Sequence, residues 1–481
     1  MDLAGFRSSL DADDVVARLR RGLIGEGVPV PGPFGEHPLV YADYTASGRA
    51  LRPVEDFIAE HVLPYYANSH TEASFCGARM TALRDEARSI IAKAVNAGPG
   101  ETVIFTGAGA TSAVNRLVSL LAFDGSRAIR PLVLIGPYEH HSNILPWRES
   151  RAEVVEIPEA DGGGPDLVEL ELMLVRQPAE RLVIGAFSAA SNVTGIKADV
   201  DAVTALLKRY GALAVWDYAG GGPYLPIDMN PGEGLEKDAV FLSPHKFPGG
   251  PGASGVLIVR NTAVSRSRPT WPGGGTVSFV SPWGHDYAGS LAAREEAGTP
   301  NVIGDIRAAL AFIVKDAVGE DFIARRDSEL AERAFAAWKG HPCIEILASD
   351  RRDRLPIFSL RLFEENGQPI HQQLATRMLS DLFGIQARGG CACAGPYAHR
   401  LLGIGREASD VMREAILSGR EIEKPGWCRL NFGYLIDDET VDFILRSVTE
   451  LTRVAGEYWP YYRCDEATAR FRHENEAEAI A

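Results

Sequence analysis

Cysteine is scarce in this chain. Six thiols in 481 residues, at positions 76, 343, 391, 393, 428 and 464, are too few and too scattered for a disulfide framework. A reduced, cytoplasmic setting is the expected one. Cationic residues are also short: 49 Lys and Arg against 64 Asp and Glu leave a formal net charge of −15. That balance argues against nucleic acid as a partner, since phosphate contacts need clustered Lys and Arg. No apolar run reaches the length of a membrane span, and the N-terminus lacks the basic-then-apolar layout of a signal peptide. A membrane is therefore not an expected partner either. What remains, 46% apolar and 23% charged residues, is ordinary globular composition. The length exceeds what one compact core organises, so two domains are expected.

Short apolar runs alternate with helical patterns over the first two thirds of the chain. The runs at 102–105, 132–135, 153–157, 182–186, 213–216, 239–242 and 255–259 read as strands. Helices fit at 53–65, 81–96, 111–121, 166–175 and 200–210. This alternation predicts an α/β large domain over residues 39–301, built on a mostly parallel seven-stranded sheet. In such sheets the chemistry collects at the carboxyl ends of the strands. A smaller α+β domain is expected over 302–465, opening with the helix 302–318. Residues 1–38 read as a leader packing on that small domain, and 466–481, charged and Ala-rich, as a disordered tail.

The densest chemistry lies between Val240 and Gly252. A buried strand runs into Ser243-Pro244-His245-Lys246, and Gly249 and Gly250 follow. A poorly solvated lysine beside tight backbone has the setting of a Schiff-base nucleophile; taken alone, the stretch reads first as a lysine at an exposed strand end. Gly107-Ala108-Gly109-Ala110-Thr111 joins a strand to a helix and could seat a phosphate on bare amides. Asp217 closes the strand 213–216, where a carboxylate can hold a pyridinium nitrogen protonated or simply cap a turn. Glu139-His140-His141 follows another strand, and His140 could stack on a flat cofactor. Zinc is discounted because no third ligand has metal spacing. Arg388-Gly389-Gly390-Cys391-Ala392-Cys393 is a small-residue loop with two thiols near a cation, open to reactive, structural or metal-binding readings. Arg429 carries the fork suited to a carboxylate.

In this order the blocks resemble the fold-type I pyridoxal phosphate enzymes of the class V aminotransferase group, closest to group II cysteine desulfurases and selenocysteine lyases. The likeness runs from about Tyr41 to Glu450. It rests on Tyr41-Ala42-Asp43, Glu139 through Trp147, Ser191-Asn192-Val193-Thr194-Gly195, Trp216-Asp217 and Ser243 through Lys246. Pro272 through Thr276, Glu296 through Asn301 and Arg388 through Ala394 complete it. The resemblance implies pyridoxal 5'-phosphate bound covalently at Lys246, its ring nitrogen on Asp217 and its ring against His140. The implied phosphate partners are Ala110, Thr111, Ser243 and His245, with Thr276 supplied by a second copy in a homodimer. Asn192, Arg429 and Arg388 are the implied substrate-binding residues, and Cys393 the thiol that accepts sulfur as a persulfide. The implied reaction removes sulfur from L-cysteine, or selenium from selenocysteine, and leaves alanine. The sulfur then passes to an acceptor protein or small molecule.

Three departures stand out. Gly220 occupies the position where relatives commonly carry a glutamine for the ring hydroxyl. Cys391 and Ala392 precede the loop thiol where histidines are usual, and both termini extend beyond a minimal desulfurase. A C–S lyase, epimerase or aminotransferase of the same fold stays open as an alternative. So does, more remotely, a non-catalytic binding protein.

Overall fold

The computed structural model describes residues 1–69, 72–121 and 129–476. The chain forms two compact units. The first holds residues 1–23, 47–190 and 198–323; the second holds 24–46, 191–197 and the chain from 324 onward.

Seven strands build the sheet of the first unit: β1 (Glu101–Gly107), β2 (Leu132–Ile135), β3 (Glu153–Glu156), β4 (Val183–Ser188), β5 (Leu213–Asp217), β6 (Ala239–Leu242) and β7 (Gly255–Arg260). Their spatial order is β1-β7-β6-β5-β4-β2-β3. Only β7 runs against its neighbours; the other pairings are parallel. This is the α/β sheet expected from the sequence. Every residue of β2, β4 and β6 is buried, which is why their apolar runs do not alternate with polar residues. On one face Val133, Ile135, Ile184, Val215 and Phe241 meet Leu117 and Val114 of the helix Gly109–Leu120. Trp216 points to the opposite face and donates to Thr204 Oγ1 at 3.0 Å on the helix Val200–Arg209.

β1, β2, β4, β5 and β6 run in one direction, so Gly107, Ile135, Ser188, Asp217 and Leu242 end at one sheet edge.

Two boundaries differ from expectation. The helix Val302–Val318 belongs to the first unit, where it packs along Phe75–Ala94. It is apolar almost all round, which demands burial on more than one side. The leader also divides. Residues 1–23 belong to the first unit, with the amides of Leu3 and Ala4 donating to Glu86 at 3.4 and 3.0 Å, and only 24–38 go with the second. The helix expected at 81–96 starts earlier, at Phe75, because Ser74 caps it by accepting from the Gly77 amide.

The second unit is α+β. Its sheet orders β8 (Ile344–Ile346), β9 (Ile357–Phe363), β11 (Trp427–Asn431) and β10 (Arg388–Gly390), with Pro369–Ile370 added beside β9. Helices Gln372–Phe383 and Asp438–Tyr458 bury Leu374, Met378, Ile444 and Val448 against Phe358, Leu360 and Leu430. Part of the expected tail is ordered: Tyr462–Asp465 pairs with Arg470–His473. Tyr462 donates to Asp381 Oδ2 at 2.9 Å and His473 packs edge-on against Phe34, so aromatic anchors offset the charged composition. Residues 477–481 lie outside the described residues.

Candidate active site

β1 leaves the sheet through Gly107 and Gly109, at φ +84° and +60°, conformations that glycine adopts without strain. The loop is tied to the exit of β6: the Ala110 amide donates to Ser243 Oγ at 2.9 Å, which leaves the hydroxyl proton of Ser243 to donate elsewhere. A Cβ on Gly109 would stand 3.1 Å from Ser243 Oγ and 3.8 Å from the His245 ring. A Cβ on Gly255 would overlap the Gly109 carbonyl. Backbone is thus kept bare where the helix Gly109–Leu120 begins, the arrangement that seats an anion on amides and the helix dipole. Burial lowers the His245 pKa to about 4, with Lys246 adding to the shift, so its imidazole is neutral at pH 7. Thr111 joins the same group. Its Oγ1 lies 2.7 Å from Ser142 Oγ, which lies 3.0 Å from His140 Nδ1.

Lys246 ends the short turn Pro244–Lys246 and is within electrostatic reach of Asp217. Asp217 is buried at the end of β5, and its Oδ1 accepts from the Ala219 amide at 2.7 Å. Burial raises its pKa to about 6, while the Ala219 amide and the Lys246 charge pull the other way. Beside it, in register, is Ser188. The Ser188 amide and hydroxyl both donate to Glu139 at 2.7 Å. Burial pushes Glu139 up to about 8. Glu139 is therefore protonated at pH 7, and the anion of this pocket is Asp217. The sequence offers one signal for Glu139, an acidic residue directly after Tyr138 at the end of a buried strand run, but assigns it no role.

This donor set suits a phosphorylated ring with a basic nitrogen. The bare start of the helix Gly109–Leu120 could take anionic oxygens, buried Asp217 could take a cation, and the Lys246 amine is within its electrostatic reach. Gly220 brings no side chain to it. Thr276 is engaged locally, its hydroxyl donating to the Gly273 carbonyl at 2.7 Å.

The second unit gathers Asn192, Arg388, Arg429 and the two loop thiols. The organiser is Asp43, which the sequence quoted only as part of a motif. Residues Val40–Tyr41 pair with Ile385–Gln386, and Asp43 bridges to Asn431. Asp43 Oδ1 accepts from Arg429 Nη2 at 2.9 Å, and its Oδ2 from Arg388 Nε at 3.0 Å. Arg429 Nη1 donates to the Asn192 carbonyl at 2.9 Å, and its buried Nε has no partner among the described residues. Burial lowers the pKa of Arg429, and Asp43 opposes that fall.

β10 leads into a tight turn. The Cys391 carbonyl accepts from the Ala394 amide at 3.2 Å, and Ala392 and Cys393 between them have φ of +53° and +55°. Two positive values make this a type I′ turn, built without the usual Asn-Gly. Left-handed backbone disfavours each non-glycine residue by ~1–2 kcal/mol. Asn192 Nδ2 holds the turn by donating to the Ala392 carbonyl at 2.8 Å. Cys393 is exposed and Cys391 half-buried.

The aminotransferase class-V family model matches residues 40–442. A probable cysteine desulfurase of Vibrio cholerae is 31% identical over 365 residues, covering 75% of this chain and 85% of that protein. A cysteine desulfurase of Pectobacterium atrosepticum is 31% identical over 429 residues, covering 87% and 94%. Among solved structures, the apo cysteine desulfurase of Thermococcus onnurineus superposes with a TM-score of 0.71 at 24% identity, covering 86% of this chain and 94% of that one. The fold is common to both.

Proposed function

The chain belongs to the class-V aminotransferase family of pyridoxal phosphate-dependent enzymes, and from that premise we propose that it is a cysteine desulfurase. The observation that carries the reading is the exposed Cys393 in a strained turn that Asn192 holds, on a chain matched over most of its length by relatives named for that activity. Strain of this kind is tolerated where geometry serves a reaction.

Pyridoxal phosphate, when bound, supplies an electron sink for charge developing at the substrate Cα. Thr111, Ser243 and the neutral His245 would bind its phosphate, with the Ala110 amide orienting the Ser243 hydroxyl. Asp217 would hold a proton on its ring nitrogen, and His140 would stack on the ring. Lys246 would anchor it covalently, and Lys246 Nζ would take the substrate Cα proton as general base. The unpartnered Nε edge of Arg429 receives a substrate carboxylate oxygen, with Asp43 fixing the guanidinium and Arg388 beside it. Cys393 Sγ attacks the substrate sulfur; alanine leaves and a persulfide remains on Cys393. An acceptor protein or small thiol takes that sulfur onward. The working form is a homodimer in which Thr276 completes the phosphate site of a second copy. The cytoplasm fits six cysteines that are all free and a chain in which no described helix can cross a membrane.

The test is product identity. Purified holoenzyme given L-cysteine should release alanine in step with sulfur transferred to a thiol acceptor. Pyruvate and ammonia in place of alanine would replace desulfuration by C–S lysis.

A further inference from the structure

The desulfurase reading uses one loop thiol, yet the turn carries two. Cys391 and Cys393 are residues i and i+2 of the same type I′ turn, and the Cys391 carbonyl itself closes that turn. A tight turn brings its first and third Cα atoms within the ~4.4–6.8 Å span that disulfides bridge. Neither thiol is buried. Lys424 is within electrostatic reach of both: its pKa is raised first by a hydrogen bond to Glu421, burial opposes the rise, and Cys391 and Cys393 add to it. The third nearby cysteine is different in kind. Cys428 lies opposite Gly389 in the sheet, but it is buried and its thiol is pushed up to about 11. It stays protonated and out of reach.

We propose that Cys391 is a resolving thiol that discharges the Cys393 persulfide and releases hydrosulfide. This rests on the desulfurase reading and adds a step to it. Cys391 loses its proton to solvent, and its Sγ attacks the inner sulfur of the persulfide, Cys393 Sγ. The Cys391–Cys393 bond forms as the bond to the outer sulfur breaks, and that sulfur leaves as hydrosulfide with the electron pair. The outer sulfur is reduced, the Cys391 sulfur is oxidised to the same extent and Cys393 Sγ keeps its oxidation level, so no external oxidant is needed. The enzyme then waits for a dithiol reductant to reopen the bridge, which makes each turnover conditional on reducing power.

Holoenzyme incubated with L-cysteine and no reductant decides the matter. The readouts are alanine, free sulfide and the mass of the alkylated tryptic peptide between Arg388 and Arg400. The expected result is a single equivalent of alanine and of sulfide per chain, a peptide closed by an internal disulfide, and renewed turnover on adding dithiothreitol. Cys391→Ser should instead retain the sulfur on Cys393 and release no sulfide until reductant is supplied. Persulfide stable on Cys393 of the wild type, or sulfur carried on Cys391, overturns the resolving step and leaves the desulfurase reading intact. Alanine and sulfide formation by Cys393→Ser, or no alanine from the wild type, takes down the desulfurase reading and this inference with it.

Discussion

Asp43 and Glu139 carry much of the electrostatic order here, and neither was assigned a role from the sequence. The reason is distance along the chain. Asp43 meets Arg388 and Arg429 across 345 and 386 residues, and no local pattern reports such a pairing. Lys246, Asp217 and His140 could be proposed from the sequence because each follows a strand run in a family motif. Glu139 permits a test. Its folded pKa of about 8 lies above the ordinary 4.5, so the folded state keeps a proton that the unfolded chain releases. Stability from this group is full below pH 4.5 and is lost as pH rises toward 8. Glu139→Gln keeps the shape and removes the titration. In the cofactor-free protein, its melting temperature relative to wild type should rise between pH 5 and pH 8. A difference that stays constant over that interval means Glu139 does not titrate as described.

Among elements, the seven strands of the large sheet lay open to sequence reading, since runs buried on both faces are dense in Val, Ile, Leu and Phe. The hairpin Val277–Ser281 with Gly284–Tyr287 was not read, because its apolar residues are exposed and mixed with serine and glycine. Helix ownership was misjudged for Val302–Val318, whose sequence says only that it is buried, not against what. The Pro244–Lys246 turn depends on a close approach that the sequence hinted at through Gly249 and Gly250. A Cβ on Gly250 would overlap the Pro244 carbonyl oxygen, which cannot move without the turn. Gly250→Ala should lower stability by about 1–3 kcal/mol, the usual cost of overpacking. It should also reduce the fraction of chains carrying cofactor after borohydride reduction, read by mass. Gly232→Ala, where nothing lies within 4 Å, is the control and should change neither. Full loading of Gly250→Ala would mean that the turn tolerates displacement and does not set the lysine.

For the whole molecule the question is what covers the hairpin. Trp283 is 92% exposed at its tip, and Phe279, Val280 and Trp271 are each more than half exposed. Aromatic groups bury 150–250 Å² each and dominate interfaces, so side chains this large are costly to leave in water. Thr276 stands at the foot of the same hairpin, one residue before Val277, which links the patch to the proposed phosphate site of a second copy. In the proposed homodimer two chains each carrying −15 repel at long range, so its association would come from apolar contact. Added salt screens that repulsion and should tighten the dimer, the opposite of an interface held by ion pairs. Sedimentation should find a species of twice 52.0 kDa, strengthened by salt. The double variant Phe279→Asp, Trp283→Asp should sediment as a folded monomer, with far-ultraviolet circular dichroism unchanged, and should bind pyridoxal phosphate more weakly than wild type. A variant that remains dimeric puts the interface elsewhere. One that becomes monomeric yet holds the cofactor as tightly as wild type removes Thr276 from the partner's site.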